Sequence, residues 1–228
     1  ITHNMAEALQ ADRIAVLDEG RLALSGTPRD VFAQPAALEQ CGLELPPVAA
    51  LAHELHRRDS RFPPTCLTVS DLMRAFHVAG GTGWTSPSPA MADFTENEEF
   101  RIARAQPAPF FAVQDLSHSY GRNTPFETPS LHTISLEISQ GESTGVIGPT
   151  GSGKSTLLQH LCGLIRPQTG QVWVDGTYLS DNHTNLKAVR ERIGMVFQLP
   201  EDQLFERYVG DDVAFAPRNQ GLSRSQVR

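Results

Sequence analysis

Along residues 13–26, RIAVLDEGRLALSG, two short apolar runs flank Asp18-Glu19-Gly20, a pattern that predicts a β-hairpin turning at that corner. Before it, Asn4 to Ala11 places Met5, Ala8 and Leu9 on one side of a short helix. After it, Thr27-Pro28-Arg29-Asp30 reads as a helix start: a hydroxyl cap, Pro at the first helical position and an acid three residues past the cap. Val48, Leu51, Ala52 and Leu55 recur at helical spacing, and Val69 to Phe76 predicts one more short helix. A second patterned region begins with the strand-like FFAVQDLSHSY, continues with the alternating LHTISLEI and reaches the short buried strand STGVIG. A Gly-rich loop, the apolar helix STLLQHLCGL, the strand QVWVDG, the helical LKAVRER and the strand IGMVFQ follow. This order of strand, loop, helix and strand predicts a parallel α/β core.

Between the two regions the composition changes. GGTGWTSPSP is rich in Gly, Ser and Pro, TENEEF is acidic, and residues 80–109 read as a flexible linker that spans on the order of 30 Å as a coil. The chain thus divides into residues 1–79, a linker and residues 110–228. A net charge of −7 argues against a surface built for nucleic acid or anionic lipid. Cys41, Cys66 and Cys162 are odd in number and lack metal-ligand spacing, as do the histidines His53, His56, His77, His118, His132, His160 and His183. Those histidines are expected at the surface or in packing. No apolar run reaches the length needed to span a bilayer.

The sharpest signal is GPTGSGKST, residues 148–156, which satisfies G-x-x-x-x-G-K-[ST]. The chemistry explains the residue types. Gly148, Gly151 and Gly153, interleaved with Pro149, Thr150 and Ser152, let successive amides turn inward toward a polyphosphate. A helix beginning near Lys154 aims its positive end at the same charge. The Lys154 ammonium can reach the outer phosphates, and the hydroxyls of Ser155 and Thr156 lie at the helix start, Ser155 suited to hold Mg²⁺. A buried strand before the loop and an apolar helix after it set this apart from a chance Gly/Ser turn. By itself the loop leaves kinases, GTPases, helicases and transporter ATPases open.

The flanking residues narrow the choice. Tyr120 in LSHSYG, the loop 148–156 and MVFQ ending at Gln198 together resemble the first half of an ATP-binding-cassette (ABC) ATPase domain. The stretch FQLPEDQLF…DVAFAPRNQGL is similar, more narrowly, to the ATPases of energy-coupling factor transporters, with Ala216 where that family usually has Gly. The opening THNMAEALQADRIAVLDEGRLALSGTPRDVF resembles the last section of the same kind of domain, starting at its switch histidine, His3. CGLELPPVAALAHEL resembles the helical extension of energy-coupling factor ATPases. The fold class implied is therefore α/β of the P-loop type, present as two complementary pieces: the end of one nucleotide-binding domain, then a linker, then the start of a second.

The resemblance implies specific roles. Tyr120 stacks on adenine, Gln198 touches Mg²⁺ and the attacking water, and His3 contacts the γ-phosphate, with chemistry resting on positioning and charge stabilisation. His3 and Lys154 would then serve different ATP sites of a head-to-tail pair. IAVLDEG imitates the Mg²⁺-binding strand of the family, but it follows His3 instead of preceding it, so Asp18-Glu19 is read as a turn. With neither that strand nor an LSGGQ-like run in these residues, the chain is expected to bind ATP without sustained turnover. The implied partners are a transmembrane coupling subunit, a substrate-binding membrane subunit and a second ATPase domain, at the cytoplasmic face of the membrane, with no nucleic acid. Glu201–Asp212 is either a docking surface or a solvated acidic face. A soluble ABC ATPase without a membrane partner is the alternative. Residues 1–78, cut off from the strands they would normally pack on, are expected to be helical, with an exposed apolar side that either stays bare or leans on the second region.

Overall fold

In a computed structural model, residues 1–2, 5–78, 109–197 and 203–227 are described. The short helix α1 (Met5–Ala8) leads into β1 (Arg13–Asp18), which pairs antiparallel with β2 (Arg21–Gly26) through the Asp-Glu-Gly corner read from the sequence. Gly20 there takes φ +75°, open to glycine at no steric cost. The helices α2 (Pro28–Phe32), α3 (Pro35–Gln40), α4 (Pro47–Arg58) and α5 (Val69–Val78) complete the first region. At the start of α2 the Thr27 hydroxyl accepts from the Asp30 amide while the Asp30 carboxylate accepts from the Thr27 amide, a reciprocal cap.

The second region holds β3 (Pro109–Tyr120), β4 (Thr128–Ser139), β5 (Thr144–Ile147), α6 (Lys154–Leu161), β6 (Thr169–Val174), β7 (Thr177–Tyr178), α7 (Leu186–Arg190), α8 (Val209–Asn219) and α9 (Arg224–Val227). Four strands form an antiparallel sheet in the order β4-β3-β6-β7. The predicted strand QVWVDG therefore lies in this antiparallel layer, where Phe111 to Gln114 pair with Val174 to Gln171.

The parallel element comes from elsewhere. β5 pairs in parallel with β1, Arg13 opposite Thr144 through Val16 opposite Ile147, giving a second sheet in the order β2-β1-β5. The first region is thus not helical throughout, and of the two expected outcomes for its apolar side it takes the second, leaning on the second region. Its strand satisfies its backbone groups on β5, an alternative to solvent that the local pattern could not reveal. Ile14, Ala15, Val16 and Leu17 are all buried, as for a strand covered on both faces. Alternation divides them: Ala15 and Leu17 join the main core with Leu116, Leu131, Val146 and Leu157, whereas Ile14 and Val16 pack with Val31, Phe32, Leu38 and Ile147. Polar contacts secure the seam, with the Ser143 amide donating to the Asp12 carboxylate at 2.8 Å and the Asp12 amide donating to the Ser143 carbonyl at 2.9 Å.

The predicted strand IGMVFQ does not form. Residues 193–197 carry no strand, and Val196 is 74% exposed. An apolar run becomes a buried strand only beside a partner, and no described strand lies there to pair with it. The linker assigned to residues 80–109 lies outside the described residues apart from Pro109, which opens β3. Among the described residues, no helix is long and apolar enough to cross a membrane.

Candidate phosphate-binding site

The loop Gly148–Gly153 joins the end of β5 to the start of α6, so a strand held in both layers of packing aims it and a buried helix receives it. Gly151 and Gly153 take φ +83° and +95°, left-handed values that let the backbone curl. The amides of Gly151, Gly153, Lys154, Ser155 and Thr156 have no hydrogen-bond partner among the described residues. The last three belong to the first turn of α6, where a helix leaves its N–H groups bare and its dipole positive. The Lys154 side chain is only 6% exposed and folds back over the loop. Its Nζ donates to the carbonyls of Gly148 (2.9 Å) and Pro149 (2.7 Å) and to Ser152 Oγ (3.3 Å). Burial holds its pKa below the ordinary lysine value. A desolvated ammonium beside five bare amides is a donor set for a polyanion, and the donors fit the phosphates of a nucleotide.

The loop rests on a backing that the sequence did not disclose. A Cβ at Gly148 would come within 2.1 Å of the Leu17 carbonyl, and one at Gly153 within 2.6 Å of the Ser130 carbonyl. The Gly20 amide donates to the Ser152 carbonyl at 3.2 Å, while the Gly20 carbonyl accepts from His132 at 2.7 Å. The β1–β2 turn is therefore wedged between the loop and β4. Asp18-Glu19 is a hairpin corner, as its position after His3 suggested. The sequence marks Gly20 as a turn residue, and nothing local marks it as a support.

Ser155 and Thr156, adjacent in sequence, face opposite ways. Ser155 is exposed, its hydroxyl available to a metal ion on the phosphate side. Thr156 is buried, and its hydroxyl lies 2.8 Å from Ser130 Oγ and 3.2 Å from the Tyr120 hydroxyl. Its backbone amide, not its hydroxyl, is the group left open to a ligand. Tyr120, at the end of β3, is 45% exposed and also donates to Gln159 Oε1 at 3.2 Å. His118 meets Tyr120 and His160 edge-on, with ring centroids at 4.8 and 4.9 Å.

These two histidines are packing residues, as expected, but deeply buried ones. His160 Nδ1 pairs with the Thr156 carbonyl at 2.8 Å, whereas its Nε2 and His118 Nδ1 are buried without a partner among the described residues. Burial pushes the His160 pKa down to about 4, with the neighbouring His118 adding to the fall and the bond to Thr156 opposing it. His118 is lowered by burial as well. Below the ordinary histidine range the unfolded chain takes up protons that the folded one refuses. Stability is therefore full above about pH 6.5 and declines as pH falls toward 4, by about 3 kcal/mol for His160. Urea denaturation across pH 4–7 should show that slope, and His160→Gln should flatten it.

His3 and Gln198 lie outside the described residues, as do Glu201 and Asp202 of the acidic stretch. The remainder of that stretch is more than a charged face, because Leu204, Phe205 and Tyr208 are exposed and Phe205 meets Phe215 edge-on at 4.6 Å. No group of three His, Cys, Asp or Glu side chains among the described residues can hold a metal ion.

Residues 131–226 match the family described as ABC transporter. The energy-coupling factor transporter ATP-binding protein EcfA2 of Symbiobacterium thermophilum is 55% identical over 112 residues, which cover 49% of this chain and 39% of that protein. The EcfA2 protein of Clostridioides difficile is 44% identical over 115 residues, 50% of this chain and 40% of its own length. The chain thus spans about two fifths of the length of these relatives. Among solved structures, cbiO1 from Clostridium perfringens, part of the ABC transporter complex cbiONQ, is 33% identical and covers 53% of this chain and 46% of its own, with a TM-score of 0.45. A TM-score that low carries no weight for fold or function.

Proposed function

We propose that residues 131–226, which match the family described as ABC transporter, are part of an ATPase domain of that kind, and that this chain binds Mg²⁺ and ATP on the segment Gly148–Thr156. In an intact ATPase of this kind, ATP hydrolysis would drive import of a vitamin or a transition-metal ion through an energy-coupling factor transporter. The observation that carries the nucleotide reading is the set of five bare amides beside a desolvated Lys154. The amides would hold the phosphate oxygens, Lys154 Nζ would exchange its carbonyl partners for the outer phosphates, and Ser155 Oγ would hold the metal. Bound Mg²⁺ supplies charge neutralisation at the phosphates. Tyr120 would carry the adenine, and the roles of His3 and Gln198 rest on the sequence resemblance alone.

The relatives' names support the transporter reading; a transmembrane coupling subunit and a substrate-binding membrane subunit at the cytoplasmic face would be the partners that the sequence resemblance implies. Residues 1–79 would be the end of a first ATPase domain, 80–109 a linker and 110–228 the start of a second, paired head to tail in a longer protein. The pairing of β1 with β5 favours a further reading within this chain: the first region supports the site containing Lys154 instead of serving only a separate one. Calorimetric titration of the full chain with ATP, with and without Mg²⁺, tests the binding reading. Saturable binding strengthened by Mg²⁺ is expected; a cooperatively folded chain that takes up no ATP would sink it.

A further inference from the structure

The polar contacts around Tyr120 have a defined direction. Gln159 Oε1 can only accept, so the Tyr120 hydroxyl gives its one proton there. Its oxygen must then accept from Thr156 Oγ1 at 3.2 Å, and Thr156 must in turn accept from Ser130 Oγ at 2.8 Å. Ser130, Thr156, Tyr120 and Gln159 thus form one directed relay from β4 through the first turn of α6 to the end of β3 and back to α6. Both ends are anchored. The Ser130 carbonyl packs against Gly153, and Gln159 sits in the helix whose first turn bears the bare amides. A tyrosine 45% exposed would normally turn its hydroxyl to water, yet this one is bonded twice to the phosphate-binding helix.

We infer that Thr156 and Gln159 are positioning residues that hold the Tyr120 ring at a set place relative to the phosphate loop, so that recognition of the nucleoside depends on that helix. The inference rests on the nucleotide reading above and adds to it how the base and phosphate contacts are linked. The tie removes freedom that an untethered ring would lose on binding, which is where preorganisation acts.

The test compares ATP with inorganic tripolyphosphate, both with Mg²⁺, by calorimetry on the full chain. Tripolyphosphate engages only the loop, so the ratio of the two affinities isolates the nucleoside contribution. In Thr156→Val, which keeps the volume, the ratio is expected to fall about fivefold, the worth of one neutral hydrogen bond, and in Tyr120→Phe, which keeps the ring but loses both bonds, at least as far. The double variant should fall no further, and Thr156→Ser should retain the ratio. Gln159→Leu gives the same readout from the far side of the relay if Thr156→Val fails to fold. An unchanged ratio, or losses that add in the double variant, would overturn the inference while leaving the nucleotide reading intact. Wild-type chain that binds neither probe would overturn both.

Discussion

Lys154→Ala is expected to abolish measurable ATP binding while the chain stays folded. The side chain is the only ammonium bonded to the loop among the described residues, and it is already stripped of water and held on Gly148, Pro149 and Ser152. Transferring it to phosphate therefore needs little further desolvation. Removing one partner of a buried, charged hydrogen-bonded pair costs about 2–5 kcal/mol, or about thirtyfold to several thousandfold in affinity. Lys154→Met, which keeps most of the stem, should lose as much, separating charge from packing. Calorimetry reads the affinity and a thermal melt confirms the fold. An affinity within a few-fold of wild type would show that the loop is not the phosphate site.

Gly148→Ala should be the most damaging Gly→Ala change among the described glycines. The added carbon would sit 2.1 Å from the Leu17 carbonyl and 2.7 Å from Ser152 Oγ, at a φ of +153°. Neither β1 nor the loop can absorb such an overlap without moving, and overpacking of this kind costs about 3 kcal/mol. The displacement should also appear locally. In the wild type, hydrogen exchange should find the amides of Ile14–Leu17 as protected as those of Gly145–Ile147; in the variant both should open ahead of β3 and β4. Gly151→Ala is the control, because its carbon meets nothing within 4 Å and strains only the loop backbone. Equal effects from the two substitutions would show that β1 does not brace the loop.

What could be read from the chain was local. The strand–loop–helix unit around Gly148–Gly153 was legible because its glycines and lysine are contiguous and a buried strand and an apolar helix flank them. The hairpin was legible from one Asp-Glu-Gly corner, and α2 from its Thr-Pro-Arg-Asp start. The pairing of β1 with β5 was not, since no periodicity links Val16 to Ile147 across the intervening chain. The missing strand at residues 193–197 failed for the same reason in reverse: apolar character was present and a neighbour was not. His118 and His160 carried no signal at all, because a single imidazole in an amphipathic segment looks the same whether it faces water or core. Thr156, in the first turn of α6, was legible by position and not by direction. Only the fold shows its hydroxyl turned toward Tyr120.

The strand that braces the loop reaches it from the far side of the residues between Val78 and Pro109. Its pairing with β5 joins two strands of one polypeptide, so the bracing it gives does not depend on how much protein is present. Diluting the protein should therefore leave the protection of both strands unchanged.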